Sequence, residues 1–265
     1  MTSSPVFFAI LTMALVFSAS ASEIHRAAKE GDLEKIKALV KSNPGWLKVT
    51  FDGRRQPLHD AAAWGQPKAV VLLLELGADI QAVTEGGHTA LHLAAMSTMR
   101  EAPAVARALL EKGLPASVPT SDGHKITPLH LARDPAVARL LLEHKADVNA
   151  RNASGTTALY QSFTHPRSLE LIQVLLEKGA LIEGIGERNK SALHAAVING
   201  HLEATELLIT QHKADINARS QDGQTPLDIV DAQLKTAIGD RRKRLLETQA
   251  LLKKKGALNG SGGKQ

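Results

Sequence analysis

The chain contains no cysteine. That single absence removes disulfide staples, thiolate metal centres and cysteine-linked lipid anchors together. Rings are nearly as scarce, and beyond residue 21 only Trp46, Phe51, Trp64, Tyr160 and Phe163 remain. A core this poor in rings has to be built from Ala, Leu, Ile and Val, which suits slim helices packed closely. Long apolar runs are missing as well. The one candidate, Val6–Phe17, has 12 residues, and a spanning helix needs about 20. No nucleophile elbow, phosphate-binding glycine loop or His-Glu-x-x-His pattern occurs, so no motif marks a catalytic centre.

What the chain does have is a period. Aligned on one position, the marks are His25, His59, His92, His130, Tyr160, His194 and Asp228, at intervals of 34, 33, 38, 30, 34 and 34. A fixed period of 20–50 residues signals stacked copies of one supersecondary unit. Such arrays offer an extended surface and seldom a pocket, because each unit touches only its neighbours. The expected units are about 23–50, 51–83, 84–119, 120–150, 151–184, 185–219 and 220–257, followed by a flexible Gly-rich tail at 258–265.

The sixth unit shows the pattern best. It reads Ser191-Ala192-Leu193-His194-Ala195-Ala196, then Asn199-Gly200-His201-Leu202, and exits through Ala214-Asp215-Ile216-Asn217-Ala218. The fourth opens Thr127-Pro128-Leu129-His130-Leu131-Ala132 and the seventh Thr225-Pro226-Leu227-Asp228. This resembles the ankyrin repeat over about Glu23 to Ala257. The resemblance implies an all-α repeat solenoid of about seven helix-turn-helix units with β-hairpin fingers. It also implies that the repeated histidines bind backbone groups. The local chemistry agrees: a Thr hydroxyl caps the first helix and the next Pro sits at N1, where its missing N–H costs nothing. Gly77, Gly113 and Gly179 stand where the second helix must end in a left-handed residue. Lys145 and Lys213 hold that place in units four and six, at a cost of about 1–2 kcal/mol each. Unit one lacks the Thr-Pro opening, and unit seven runs on into a basic helix, as end caps should.

Ala19-Ser20-Ala21 after the apolar run reads as a leader-peptidase site, so residues 1–21 are expected to be a signal peptide cleaved near Ala21/Ser22. The lack of Lys or Arg in Met1–Pro5 leaves the alternative of a buried capping helix. Glycosylation-type triplets at Asn152, Asn189 and Asn259 include two in loops that should carry binding. Sugars there would obstruct the surface, which favours an exported bacterial protein of the periplasm. Net charge is +5, but nine Lys/Arg against two Asp/Glu over 235–265 leave the remainder at −2. The basicity is therefore a property of one terminal helix without aromatic partners, which points to a solvated cap rather than to nucleic acid.

Of 11 histidines, five occupy the repeated position, His201 fits the Gly-His position, and His144 and His212 recur before Lys145 and Lys213. His88, His124 and His165 fall on separate units, with no convergent ligand spacing for zinc. No metal, cofactor or enzymatic activity is expected. The resemblance instead places a partner protein on fingertips and on the exposed ends of first helices. The candidates are Arg54, Arg55, Trp64, Glu85, His88, Met96, His124, Lys125, His165, Arg188, Lys190 and Ile198. Trp64 is either a contact, as Trp often is in hot spots, or packing for a neighbouring unit. The basic members bias the surface towards an acidic partner, and the array should be monomeric on its own. Length changes fall in the fingers of units two and four and between the helices of units three and four, the latter about three residues short at Arg133-Asp134-Pro135. They mark either binding loops or tolerated drift. The expected function is non-enzymatic recognition, in one form a neutraliser of a periplasmic or incoming enzyme. The competing readings are a delivered effector with a host target and a scaffold for periplasmic enzymes.

Overall fold

The computed structural model describes residues 21–165 and 169–260. The expected leader lies almost wholly outside the described residues. Seven helix pairs follow one another. Unit one is α1 (residues 21–30) and α2 (Leu33–Ser42). Units two and three are α3 (Pro57–Ala63) with α4 (Pro67–Glu75), and α5 (Ala90–Met96) with α6 (Ala102–Glu111). Units four and five are α7 (Pro128–Leu131) with α8 (Pro135–Glu143), and α9 (Ala158–Ser162) with α10 (Leu169–Glu177). Units six and seven are α11 (Ala192–Ile198) with α12 (Leu202–Thr210), and α13 (Pro226–Leu234) with α14 (Gly239–Lys254). First helices pack on first helices and second on second, giving two layers with one continuous aliphatic core between them. Ala61, Ala94, Ala95 and Ala196 are fully enclosed, and these small side chains let the layers approach.

The second helices end as expected. Gly77, Gly113 and Gly179 have φ of 97°, 93° and 86°, and Lys145 and Lys213 adopt the same left-handed turn at 66° and 52°. The fingers turn back on themselves through backbone bonds such as Thr84 N–H to His88 O and Ser220 N–H to Gln224 O, both at 3.0 Å, but they stay too short for strands. Among the described residues no β-strand forms, and a single antiparallel bridge, Phe51 to Arg55, marks the finger of unit two. Neighbouring fingertips are also joined by single backbone bonds, such as Glu85 N–H to Gly53 O at 2.8 Å and Gln221 N–H to Arg188 O at 2.7 Å. The fingers are too short to close a ladder.

The histidines explain the stacking. In units two, three, four and six, Nδ1 accepts the backbone N–H of Gln56, Thr89, Thr127 or Ser191, at 3.0–3.2 Å. The opposite nitrogen donates to the carbonyl of Ala82, Ile126, Thr156 or Gln224, each at 3.0 Å. One ring thus closes a helix N-terminus and ties it to the chain leaving or entering the next finger. His201 likewise donates to Phe163 O of the preceding unit at 2.8 Å.

Three departures stand out. His25 does not follow its four counterparts: α1 is already helical at residue 21, and its Nδ1 meets the Asp60 carboxylate of unit two at 2.6 Å. Tyr160, in the same position in unit five, lies where Gly186 leaves space, since a Cβ there would fall 2.1 Å from its ring. The tail expected from 258 begins with a docked stretch: Leu258 N–H bonds Asn217, and Gly260 N–H bonds Asp228 at 2.8 Å. Asp228 has lost the imidazole's reach but gains acceptor capacity, and the returning chain fills it. Burial raises its pKa, but the bonds from Thr225, Gly260 and Asn259 outweigh this and hold it below the ordinary value.

Candidate functional site

Unit four shapes the surface. The Asp134-Pro135 pair dictates this locally, because the residue before proline is pushed out of the helical region. Asp134 is extended (φ −102°, ψ 124°) and caps α8 through Ala136 N–H at 2.7 Å. Ala132 is already extended as well, so α7 stops after four residues where α3, α5 and α11 have seven. The missing residues therefore come out of the first helix itself, and not out of the loop alone as the spacing suggests. Arg133 N–H bonds back to Ala95 O of unit three at 3.2 Å.

Shortening α7 opens a notch of about 190 Å³ between units three and five, lined by Met96, Leu131, Arg133, Asn152, Gln161 and His165 among others. Burial lowers the pKa of His165, and the nearby Arg133 guanidinium lowers it further. Two residues picked from sequence, Met96 and His165, thus share one site. Arg133 and Asn152 complete it and were missed as contacts. The period anomaly at 133–135 was the signal, but what it exposes depends on where α7 ends.

Beside the notch lies an apolar ridge. Trp64, at the end of α3, is 48% exposed, and Met99 is 42% exposed. Gly65, next to Trp64, approaches Met99 so closely that a Cβ there would come within 2.8 Å of the Met99 Cβ. The extra residues of unit three build the turn that carries Met99, held by Ser97 Oγ–H to Ala63 O at 2.9 Å and Met99 N–H to Ser97 Oγ at 3.2 Å. Ile198 stands half-buried further along, lining a separate pocket with Arg241 and Arg244.

The fingertips split into two groups. Arg54, Glu85, His124 and Lys125 are exposed, and Arg54 and Lys125 both have a left-handed backbone (φ 59° and 54°). The Asp122 carboxylate accepts from Thr120 Oγ and His124 N–H, which shapes that tip. The other basic residues are engaged at home. Arg55 Nε lies 3.6 Å from the buried Asp60, and Arg188 meets Asp222 at 3.1 Å. Their charge serves the array, which weakens their part in drawing an acidic partner. His88 packs edge-on against His92 at 5.6 Å, and Lys190 is half-buried, its carbonyl accepting from Gly186 N–H. Among the described residues no His/Asp/Glu group gathers in a metal-binding arrangement, and no helix is long and apolar enough to cross a membrane.

Comparison with known proteins accords with this architecture. A family model of ankyrin repeats in three copies matches residues 24–122 and 81–152, and one of many copies matches 175–230. A probable E3 ubiquitin-protein ligase, XBOS32 of Oryza sativa subsp. japonica, is 32% identical over 220 residues, covering 81% of this chain and 42% of the relative. The human ankyrin repeat and SOCS box protein 16 is 36% identical over 190 residues, covering 66% and 40%. This chain therefore spans less than half the length of these eukaryotic relatives. Among solved structures, the human ASB11 ankyrin repeat domain superposes with a TM-score of 0.70 at 27% identity, covering 85% of this chain and 96% of that one. The ankyrin repeat domain of Bcl-3 gives 0.61 at 29%, covering 84% and 97%. With its period, capping and imidazole ties all in place, the chain belongs to the ankyrin-repeat family.

Proposed function

We propose that this protein is an exported, non-enzymatic recognition module that holds a partner protein along the Trp64–Met99 ridge and the notch below α7. The observation that supports it most is that ridge: two large apolar side chains, half-exposed on adjacent units, flank a glycine. Trp is among the residues most enriched in binding hot spots. Ankyrin repeats bind other proteins, which supports the general reading. The leader-like Val6–Phe17 run and the Ala19-Ser20-Ala21 site support export to a bacterial periplasm. Within that compartment a neutraliser of a periplasmic or incoming enzyme is the preferred form.

The test is capture of a stoichiometric partner by purified protein from periplasmic and secreted extracts of its source, with the activity of any captured enzyme assayed bound and free. Loss of that activity on binding supports the neutraliser. A partner found only in a host extract transfers the reading to a delivered effector, and a partner of unchanged activity transfers it to a scaffold.

A further inference from the structure

The notch is too small for a cofactor-sized ligand. Small-molecule sites run from roughly 300 to 1,000 Å³, and this one has about 190 Å³. Below that range, the space suits a side chain and not a cofactor.

Its chemistry has one sign. The nine lining residues include the cation Arg133 and no Asp or Glu. Arg133 is exposed, its backbone is fixed by Ala95 O, and among the described residues no carboxylate pairs with its guanidinium. Asn152 Oδ1 is committed to the N–H groups of Ser154 and Thr156 at 3.0 Å each, so its uncommitted end is the donor. Met96 and Leu131 supply the apolar part of the lining. Arg139, on the second helix α8 of the same unit, pairs instead with Glu170 at 3.1 Å.

Resting on the recognition reading above, we propose that the notch receives one carboxylate side chain, Asp or Glu, from an extended segment of the partner. The carboxylate lies between the Arg133 guanidinium and the Asn152 amide, and its stem rests on Met96 and Leu131. An apolar neighbour on the same segment reaches the Trp64–Met99 ridge. Arg presents paired donors that match a carboxylate, which sets this position apart from the fingertip lysine.

The probe is a phage-displayed library of random twelve-residue peptides, selected on the purified protein and separately on its Arg133→Glu variant. Arg133 is exposed, so an unchanged thermal melt should accompany the variant. The expected result is a consensus with Asp or Glu beside an apolar residue. Synthetic peptides of that consensus should bind the variant about ten- to hundred-fold more weakly, the scale of one charge-assisted bond. Selection on the variant should replace the acidic position by Lys or Arg. A consensus without an acidic residue, binders indifferent to Arg133→Glu, or no enrichment at all would overturn the notch. Binders lost on Trp64→Ala but not on Arg133→Glu would do so while leaving the recognition reading standing.

Discussion

His25 Nδ1 lies 2.6 Å from Asp60 Oδ2, with both side chains almost fully enclosed between units one and two. Lys29 and Arg55 approach the other carboxylate oxygen at 4.0 and 3.6 Å, and the finger residue Phe51 covers the imidazole at 5.7 Å. The extra residue in that finger thus has a structural role, since it brings Arg55 back over Asp60. Removing one member of a buried pair typically costs about 3–5 kcal/mol, because its partner is left stranded. Asp60→Ala should lower stability on that scale and expose 21–50 to hydrogen exchange before units three to seven. The double variant His25→Leu/Asp60→Leu should be less damaging than Asp60→Ala alone. Urea unfolding of the three proteins checks the order, and a double variant weaker than the single one would contradict it.

Acid should loosen the stack before the carboxylates titrate. Burial holds His92 down at about 4 and holds His59, His130 and His194 below the ordinary histidine value. Nδ1 of each must stay unprotonated to accept its capping N–H. A histidine lowered on folding contributes stability that is complete above its unfolded pKa of about 6.5 and is lost as pH falls towards the folded value. Each group adds a slope of about 1.4 kcal/mol per pH unit inside its own window. Urea midpoints should therefore drop between pH 7 and 5, and His92→Gln should flatten that drop by about one group. A level profile across this range would contradict the tautomer assignment.

Much of this was legible in the amino-acid sequence. The intervals between His25 and Asp228 located all seven units, and Gly77, Gly113, Gly179, Lys145 and Lys213 marked the ends of five second helices. These signals are local, set by one residue's own backbone demands. The role of His25 was not legible, because its partner lies 35 residues away and replaces a backbone group by a carboxylate. The notch escaped for a related reason. A deletion at 133–135 is visible as a count, but whether the loop or α7 absorbs it depends on how Asp134 caps α8. The fingers turn back as expected but are too short to form strands, and the docking of Leu258–Gly260 depends on acceptors supplied by Asn217 and Asp228.

Tyr160 and Gly186 should behave as a coupled pair. Units five and six make the sparsest helix contacts of the internal junctions, and the Tyr160 ring fills the space a side chain at 186 would need. Overpacking of this kind costs about 1–3 kcal/mol. Gly186→Ala should destabilise the array by that amount, whereas in a Tyr160→Ala background it should cost little. Equal losses in both backgrounds would show that the two positions do not touch.

Lys145 and Lys213 hold left-handed turns without the freedom of glycine. Lys145→Gly and Lys213→Gly should each stabilise the protein by about 1 kcal/mol, since the strain relieved exceeds the added unfolded-chain entropy. Thermal melts at neutral pH report this directly, and a lower midpoint for either variant would mean that its lysine stem packs usefully.

A partner held as proposed lies on the ends of the first helices and not on the layer of second helices. Hydrogen exchange of the protein, free and saturated with its captured partner, separates the two faces in one experiment. New protection should appear around 63–65, 96–101, 131–133 and 164–165, with α4, α6 and α8 unchanged. Protection confined to those second helices, with the Trp64 and Arg133 segments exchanging as before, would contradict this placement.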